Sequence, residues 1–272
     1  MISGDTTISM KSPLIQLSYL FVAIVTSRAV AEYSSQQEYQ VPRNVFFVVR
    51  FNTTELLGSR PTTQPRSTYE YSLLPVDDAE LPAGWNYLVT ESKEQIVLYG
   101  HQDDRNINTT ELELVYFDSS NSESKIALIR LSFYYEPDGT SQLAESDYVL
   151  EIEFAFNNMD LAKFLSKELH SKVDSLFHDL IWPLSRLVEV SKFGQSGVLI
   201  RVRNVDLAES KHSIDKLKHE IDLATRNGAL RRLCISRRSK ALSIEHYFRS
   251  LGLFPNWCTF KTRRIRMSRK LF

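Results

Sequence analysis

The sequence lacks the motifs that mark most nucleotide-binding enzymes, serine hydrolases and metal proteins. It has no Walker A loop, no G-x-G-x-x-G motif and no G-x-S-x-G motif. Its two cysteines cannot by themselves build a zinc site. None of its six histidines lies in a metal-binding motif such as H-E-x-x-H. These absences favour a binding or structural protein over an enzyme.

Net charge is also lacking, since 33 basic and 33 acidic residues balance over the 272-residue chain. The balance hides an asymmetry, because from Ala229 onward the chain has twelve lysines and arginines but one acidic residue. An acidic body therefore precedes a basic C-terminal region, and we expect residues 263–272 to form a basic tail. Such a tail can be solvated, flank a membrane or bind an anionic partner. It lacks the interleaved aromatic residues that single-strand nucleic-acid binders use.

Long apolar runs are scarce, and the one that stands out lies near the N-terminus. The stretch from Leu14 to Val25 follows Lys11 and ends near Ala29-Val30-Ala31. This pattern predicts a secretory signal peptide over residues 1–31, with Glu32 as the first mature residue. The run is shorter than the ~20 apolar residues that cross a bilayer, and no other stretch qualifies as a membrane span. A buried helix or an uncleaved anchor is the alternative.

Export changes the interpretation of the cysteines and of two Asn-x-Thr sequons. In an oxidising compartment Cys234 and Cys258 are expected to pair, closing a loop of about 25 residues that contributes about 3 kcal/mol. The alternative is two unpaired buried thiols. Asn52 and Asn108 each begin an allowed sequon, so we predict N-glycosylation at both.

Acidic side chains offer weak candidates for a metal site. Asp103, Asp104 and Asp118 can supply oxygen ligands to calcium, but they lack the dense spacing of a recognised calcium loop. Solvated turn residues are the alternative. No other cofactor is predicted. His170 and His178 lie eight residues apart on one amphipathic segment, which favours surface or boundary positions over metal ligation.

The first half of the mature chain has the pattern of a β-domain. Short β-branched and aromatic runs are separated by turn residues such as Pro82-Ala83-Gly84. This predicts an all-β cadherin/Ig-like sandwich over residues 38–140. The predicted strands are Val45 to Phe51, Gln95 to Tyr99, Glu111 to Phe117 and Ile126 to Tyr135.

The second half, residues 145–262, mixes strands and helices. Strict alternation from Tyr148 to Phe156 predicts a strand, and apolar residues at three- and four-residue spacing from Leu161 to Leu180 predict one helix capped by Asp160. Two further strands, a second helix and a last strand complete an α+β ferredoxin-like (SEA-like) order. The expected fold class is therefore mixed.

Several motifs resemble those of a known family. The segment Leu81-Pro82-Ala83-Gly84-Trp85-Asn86-Tyr87, followed by Leu98-Tyr99-Gly100, resembles dystroglycan-type cadherin-like domains. In the second half, Gly197-Val198-Leu199-Ile200-Arg201-Val202 and Phe254-Pro255-Asn256-Trp257-Cys258-Thr259 follow in the order of alpha- and epsilon-sarcoglycan ectodomains. The resemblance covers about residues 40 to 262.

The resemblance to sarcoglycans implies a non-enzymatic membrane glycoprotein of the dystrophin-associated complex. Its implied partners are beta, gamma and delta sarcoglycan and the dystroglycan/dystrophin complex, and its implied place is the muscle cell membrane (sarcolemma), with an extracellular ectodomain that links matrix and cytoskeleton. No nucleic acid or small-molecule substrate is implied. Two alternatives remain open: a secreted, calcium-dependent adhesion or matrix-binding module, and an ecto-nucleotidase, for which no phosphate-binding loop is present.

Overall fold

The computed structural model describes residues 35–58, 69–76, 80–119, 123–135, 148–157, 159–182, 184–205, 209–226 and 242–266. The predicted signal peptide, Cys234 and the last six residues lie outside this described part.

The first half of the described chain is a β-sandwich of seven strands with one short helix. Sheet one has the order β1-β7-β6-β3, and sheet two has the order β2-β5-β4. β1 pairs parallel to β7, and the other neighbours are antiparallel. The elements are β1 (Gln36–Pro42), β2 (Phe46–Asn52), α1 (Thr53–Leu57), β3 (Tyr69–Pro75), β4 (Asn86–Val89), β5 (Gln95–His101), β6 (Thr109–Asp118) and β7 (Glu123–Tyr134). The predicted all-β sandwich is confirmed.

The turn around Trp85 packs against the end of β5. Trp85 N donates to Pro82 O at 3.0 Å, and Trp85 Nε1 donates to His101 O at 2.9 Å. A side chain on Gly100 would place Cβ 3.0 Å from Trp85 Cα and 2.7 Å from Gly84 O, so only glycine permits this approach. The two sequence motifs that contain Trp85 and Gly100 therefore pack directly on one another.

The second half contains one four-stranded sheet with helices. Its strand order is β11-β8-β10-β9, and each neighbouring pair is antiparallel. The elements are β8 (Tyr148–Asn157), α2 (Leu161–Ser166), α3 (Leu169–Leu176) with a π-helical turn (Phe177–Ile181), β9 (Ser185–Phe193), β10 (Gly197–Asn204), α4 (Glu209–Arg226), α5 (Glu245–Ser250) and β11 (Phe254–Arg266).

The single helix predicted after Asp160 is wrong, because the structure has two. Asp160 does cap the first, with its Oδ1 accepting from Ala162 N at 2.9 Å and from Lys163 N at 3.3 Å. Glu168, however, adopts a left-handed backbone with φ of 55°, which ends one helix and starts the next. Apolar residues in both helices reach the same core, so the spacing looked continuous.

The sandwich interior and the second half have separate apolar clusters, and the cluster of the second half extends onto sheet two. Phe46, Val97 and Tyr99 project from sheet two away from the sandwich interior and join the core of the second half. Arg50 adds a polar contact, since it donates to Leu165 O at 2.8 Å. Sheet two is therefore packed on both faces, and the predicted regions 38–140 and 145–262 are joined by a core as well as by the chain.

The predicted basic tail is a strand over its first four residues. β11 continues to Arg266 and pairs with β8, placing Arg263 opposite Glu151 and Arg266 opposite Tyr148. The acidic residue in β8 gives this basic stretch a cross-strand partner, which favours pairing over a solvated tail. The tail prediction was therefore wrong for residues 263–266.

Candidate functional site

The predicted calcium ligands do not converge. Asp103 and Asp104 lie in the loop before β6, whereas Asp118 is the last residue of that ten-residue strand. Asp118 is fully buried and accepts a hydrogen bond from Tyr116 Oη at 3.3 Å, and Asp104 Oδ1 accepts from Asn106 N at 2.9 Å. Within the described ranges, no group of three or more His, Cys, Asp or Glu residues is arranged to hold a metal ion.

A buried carboxylate surrounded by three arginines is the main charged feature of the second half. Glu151 has 1% of its side chain exposed. Its carboxylate contacts Arg201 Nε at 3.1 Å, Arg203 Nε at 3.3 Å and a terminal nitrogen of Arg263 at 2.5 Å. We call these four residues the Glu151 cluster. Arg201 also contacts Glu153 and Glu189, and Arg203 also contacts Asp103, so neighbouring carboxylates balance the remaining arginine charge.

A second row of charges lies beside the Glu151 cluster on the same sheet face. Lys261, Glu153, Arg201 and Glu189 are directly opposite one another across four strands. Arg201 contacts Glu153 at 2.9 Å and also pairs with Glu189. Burial alone would raise the pKa of Glu153, but the hydrogen bond and charge of Arg201 lower it. The alternation of opposite charges follows from the two-residue period of the strands.

One arginine of the cluster ties the second half to the sandwich. Arg203 contacts Asp103 at 3.2 Å, and Asp103 also pairs with His101 Nε2 at 2.9 Å. Burial raises the pKa of Asp103, yet the hydrogen bond from His101 and the charge of Arg203 lower it to about 2. Asp103 is therefore part of an ion pair with Arg203 that spans both halves, and its other carboxylate oxygen contacts His101.

A cleft of about 230 Å³ lies on the seam between the sandwich and the second half. It is bordered by β1 and β2 on one side and by α3 and β9 on the other. Asp174 accepts from Leu187 N at 2.5 Å and contacts Arg186 Nε at 3.1 Å. These contacts of Asp174 join α3 to β9 along one side of the cleft, so the polar residues there have a structural role.

His170 lines the cleft and packs edge-on against Phe46, with ring centres 6.0 Å apart. Burial and the charge of Arg50 lower the pKa of His170 to about 4, while Glu168 raises it slightly. His170 is therefore neutral at physiological pH. Its half-buried position agrees with the boundary placement predicted from sequence.

Acidification is expected to weaken the fold through His170. Its pKa is about 4 when folded and near 6.5 when unfolded, so the unfolded chain binds the extra proton first. Stability is therefore full above pH 6.5 and falls as the pH drops toward 4, by about 2–3 kcal/mol. Urea unfolding between pH 7 and pH 4 measures this.

The matched variant for this titration is His170→Gln, which cannot be protonated. In this variant the free energy of unfolding should change little between pH 6.5 and pH 4. The loss of stability caused by protonation of Asp103 should remain, because the low pKa of Asp103 places that loss below pH 3.8. An unchanged slope in His170→Gln between pH 6.5 and pH 4 would contradict the assignment.

The two sequons lie at opposite ends of the sandwich. Asn52 ends β2 and caps α1, accepting from Thr54 N at 3.0 Å, while its Nδ2 donates to Glu55 at 3.0 Å. Asn108 is exposed, and its Oδ1 accepts from Arg43 at 2.9 Å. The structure does not test whether either carries a glycan, and both sites stay predictions.

Cys258 is disulfide-bonded in the structure. The chain has one other cysteine, Cys234, which lies outside the described residues. Cys258 is exposed and sits where the pairing of β11 with β8 is interrupted between Asn256 and Lys261. Thr259 fills that interruption, because its Oγ1 accepts from Ala155 N at 2.8 Å.

No pattern in the sequence pointed to the buried Arg43, which is 2% exposed. Its guanidinium donates to Asp104 O at 2.8 Å and to Ile107 O, and it lies over the rings of Phe133 and Tyr135. Arg43 thereby fixes the loop before β6, including the sequon at Asn108. A single arginine between strands looks like a surface residue until its acceptors are known.

Comparison with known proteins identifies no family for this chain. No family model matches the chain, and no curated protein matches it. Among solved structures, the chain is similar to the zebrafish RET cadherin-like domains 1 to 4, with 14% sequence identity and a TM-score of 0.26. That match covers 39% of this chain and 24% of the RET structure, so this chain spans about a quarter of that protein's length.

Proposed function

We propose that this chain is a non-enzymatic extracellular glycoprotein of the sarcoglycan type. It acts as a structural adhesion subunit that links matrix and cytoskeleton at the cell membrane, together with beta, gamma and delta sarcoglycan and the dystroglycan/dystrophin complex. The observation that carries the proposal is a β-sandwich docked through a shared core onto an α+β unit, in the order that the sequence resemblance implies.

The finer fold assignment belongs to the same proposal. The first half is a cadherin/Ig-like sandwich, supported by its two sheets and by the parallel pairing of β1 with β7. The second half is a ferredoxin-like (SEA-like) unit. It is supported by the strand order β11-β8-β10-β9 and by helices that follow β8 and β10, as in a split βαβ arrangement.

A role without catalysis is supported by the partners of the carboxylates that meet arginine side chains. Glu151 contacts three arginines, Asp103 contacts His101 and Arg203, and Asp174 contacts Arg186. Each of these carboxylates stabilises the packing of strands or of the two halves. Among the described residues no helix is long and apolar enough to cross a bilayer.

Calcium-dependent adhesion has weaker support than a structural subunit. Asp103 contacts Arg203 and His101, and Asp118 lies at the far end of β6. A calcium site built from these residues would require the loop before β6 to leave its contacts with Arg43 and Arg203.

Two glycans are expected on the protein made in a secretory host. Treatment with peptide N-glycosidase should remove two glycan masses, and Thr54→Ala and Thr110→Ala should each remove one, because each substitution destroys one sequon. Intact-mass spectrometry measures the number. Thr54→Ala retains the Asn52 cap, whereas Asn52→Gln also loses the cap at about 1 kcal/mol. A mature protein with no glycan would contradict both predicted glycosylation sites.

To test whether the chain belongs to a membrane complex, a native muscle membrane preparation is chemically crosslinked and this chain is purified from it. We expect other single-pass glycoproteins to co-purify in constant ratio. Carbonate extraction of the same membranes should retain the chain if a membrane span anchors it and release it if only its partners hold it. Recovery of the glycosylated chain alone, in the medium, would overturn the subunit role and leave a secreted adhesion module.

A further inference from the structure

β11 forms an edge of the second-half sheet and carries an unusual density of positive charge. In the order β11-β8-β10-β9 it has one neighbour, β8, among the described residues. Lys261, Arg263, Arg264 and Arg266 fall within six residues near its end, and all four are exposed. Lys261 and Arg263 have side chains 76% and 62% exposed although each contacts a carboxylate.

The positive charge lies on both faces of the strand. Lys261 and Arg263 face the same side as Glu153 and Glu151, which also contact Arg201 and Arg203. Together with Glu189 and Asp103, these two carboxylates balance the four cations of this face, so the unbalanced charge of the strand is that of Arg264 and Arg266.

On the opposite face, Arg264 and Arg266 stand across from Leu150 and Tyr148, which carry no charge. Arg264 lies over the ring of Tyr148 at 4.3 Å. The aromatic contact orients Arg264 without neutralising it.

The basic side chains determine which kinds of strand can pair stably with the outer edge of β11. A second copy of β11 would place arginines and lysines opposite one another, which is destabilising. Positive charges on an edge strand also prevent association with neutral strands. An acidic strand is the pairing partner that these charges favour.

We propose that the outer edge of β11 from Lys261 to Arg266 is a docking site for an acidic, extended segment of a partner protein. The segment adds as a fifth strand, with backbone hydrogen bonds to β11 and carboxylates beside the basic side chains. This inference goes beyond the proposed function and does not require a sarcoglycan complex, because the surface belongs to the chain itself.

The test is isothermal titration calorimetry of the full chain with a capped octapeptide of alternating glutamate and valine, at low ionic strength. We expect saturable binding that weakens as salt is added. Arg264→Glu combined with Arg266→Glu should weaken binding about tenfold or more. The reversal creates no like-charge pair across β8, because Leu150 and Tyr148 face those positions.

Two controls separate strand addition from simple charge attraction. The same peptide methylated on every backbone nitrogen keeps its charges but has no backbone N–H, so it should bind at least about tenfold more weakly. Lys192→Glu with Lys211→Glu makes an equal change in charge on exposed residues of β9 and α4, and should leave binding unchanged.

Several outcomes would overturn the proposal. Equal binding of the methylated peptide would mean that charge alone acts. Binding of a heparin octasaccharide or of phosphatidylserine vesicles, without binding of the peptide, would assign the edge to a sulfated glycan or to a membrane. If the double variant unfolds at the same temperature as the unmodified chain, its loss of binding is not caused by a loss of folding. A failed sarcoglycan co-purification leaves all of these results unaffected.

Discussion

Trp257→Ala is expected to lower the free energy of unfolding by about 3–5 kcal/mol. The indole is 1% exposed and stacks on Phe154, with ring centres 5.2 Å apart. It also meets Phe248 at 6.0 Å and Phe260 at 6.2 Å. Alanine would leave a cavity in the centre of this aromatic cluster, because several rigid rings cannot all move to fill it.

Urea unfolding with the disulfide intact measures this loss, and Tyr134→Ala is the matched control. Tyr134 has 42% of its surface exposed at the end of β7, so its loss should cost about 0.5 kcal/mol or less. Equal effects of the two substitutions would show that Trp257 does not fill the core. An intact disulfide is needed because Cys258 is the next residue, and its reduction would add a separate destabilisation.

Glu151→Gln is expected to cost about 3–5 kcal/mol. The substitution keeps the shape but removes the negative charge that Arg201, Arg203 and Arg263 share. Arg201 keeps Glu153 and Glu189, and Arg203 keeps Asp103, so the cost arises at position 151 itself. There a buried amide NH2 replaces a carboxylate oxygen that accepts from arginine, and breaking a buried ion pair from one side is more costly than losing the whole pair.

A control and a rescue variant separate this mechanism from general damage. Glu189→Gln removes a carboxylate that is 30% exposed and contacts Arg201, and it should cost about 1 kcal/mol or less. Glu151→Leu combined with Arg203→Leu should recover part of the stability lost in Glu151→Gln, because one buried cation goes with the carboxylate. Chemical denaturation measures all three. A small effect of Glu151→Gln would mean that water or Asp103 compensates the arginines.

Strands with a buried apolar face could be predicted from the sequence. β6 alternates buried Leu112 and Leu114 with Glu111 and Glu113, and β8 has the same period. β1, β3 and β4 were missed. β1 has the polar sequence Gln36–Pro42 and is a strand because it pairs with β7, and Asn86–Val89 is only four residues long. Such edge strands depend on a neighbour for their structure more than on their own pattern.

The candidate site was predicted less well than the strands. Asp103 and Asp118 looked equivalent as calcium candidates, but the loop places Asp103 beside Arg203, which comes 100 residues later. The Glu151 cluster was not predicted at all, since its members come from three strands separated along the chain. Local spacing contains no information about which charges meet across a sheet.

By itself the sequence determined which segments must bury an apolar face and that Asp160 caps a helix, because these depend on periodicity and capping within a few residues. Only the tertiary structure decided that sheet two packs on both faces, that Glu151 collects three arginines and that the basic stretch up to Arg266 is an edge strand. Those outcomes depend on contacts between residues far apart in the chain, whose energies exist only once the strands are assembled.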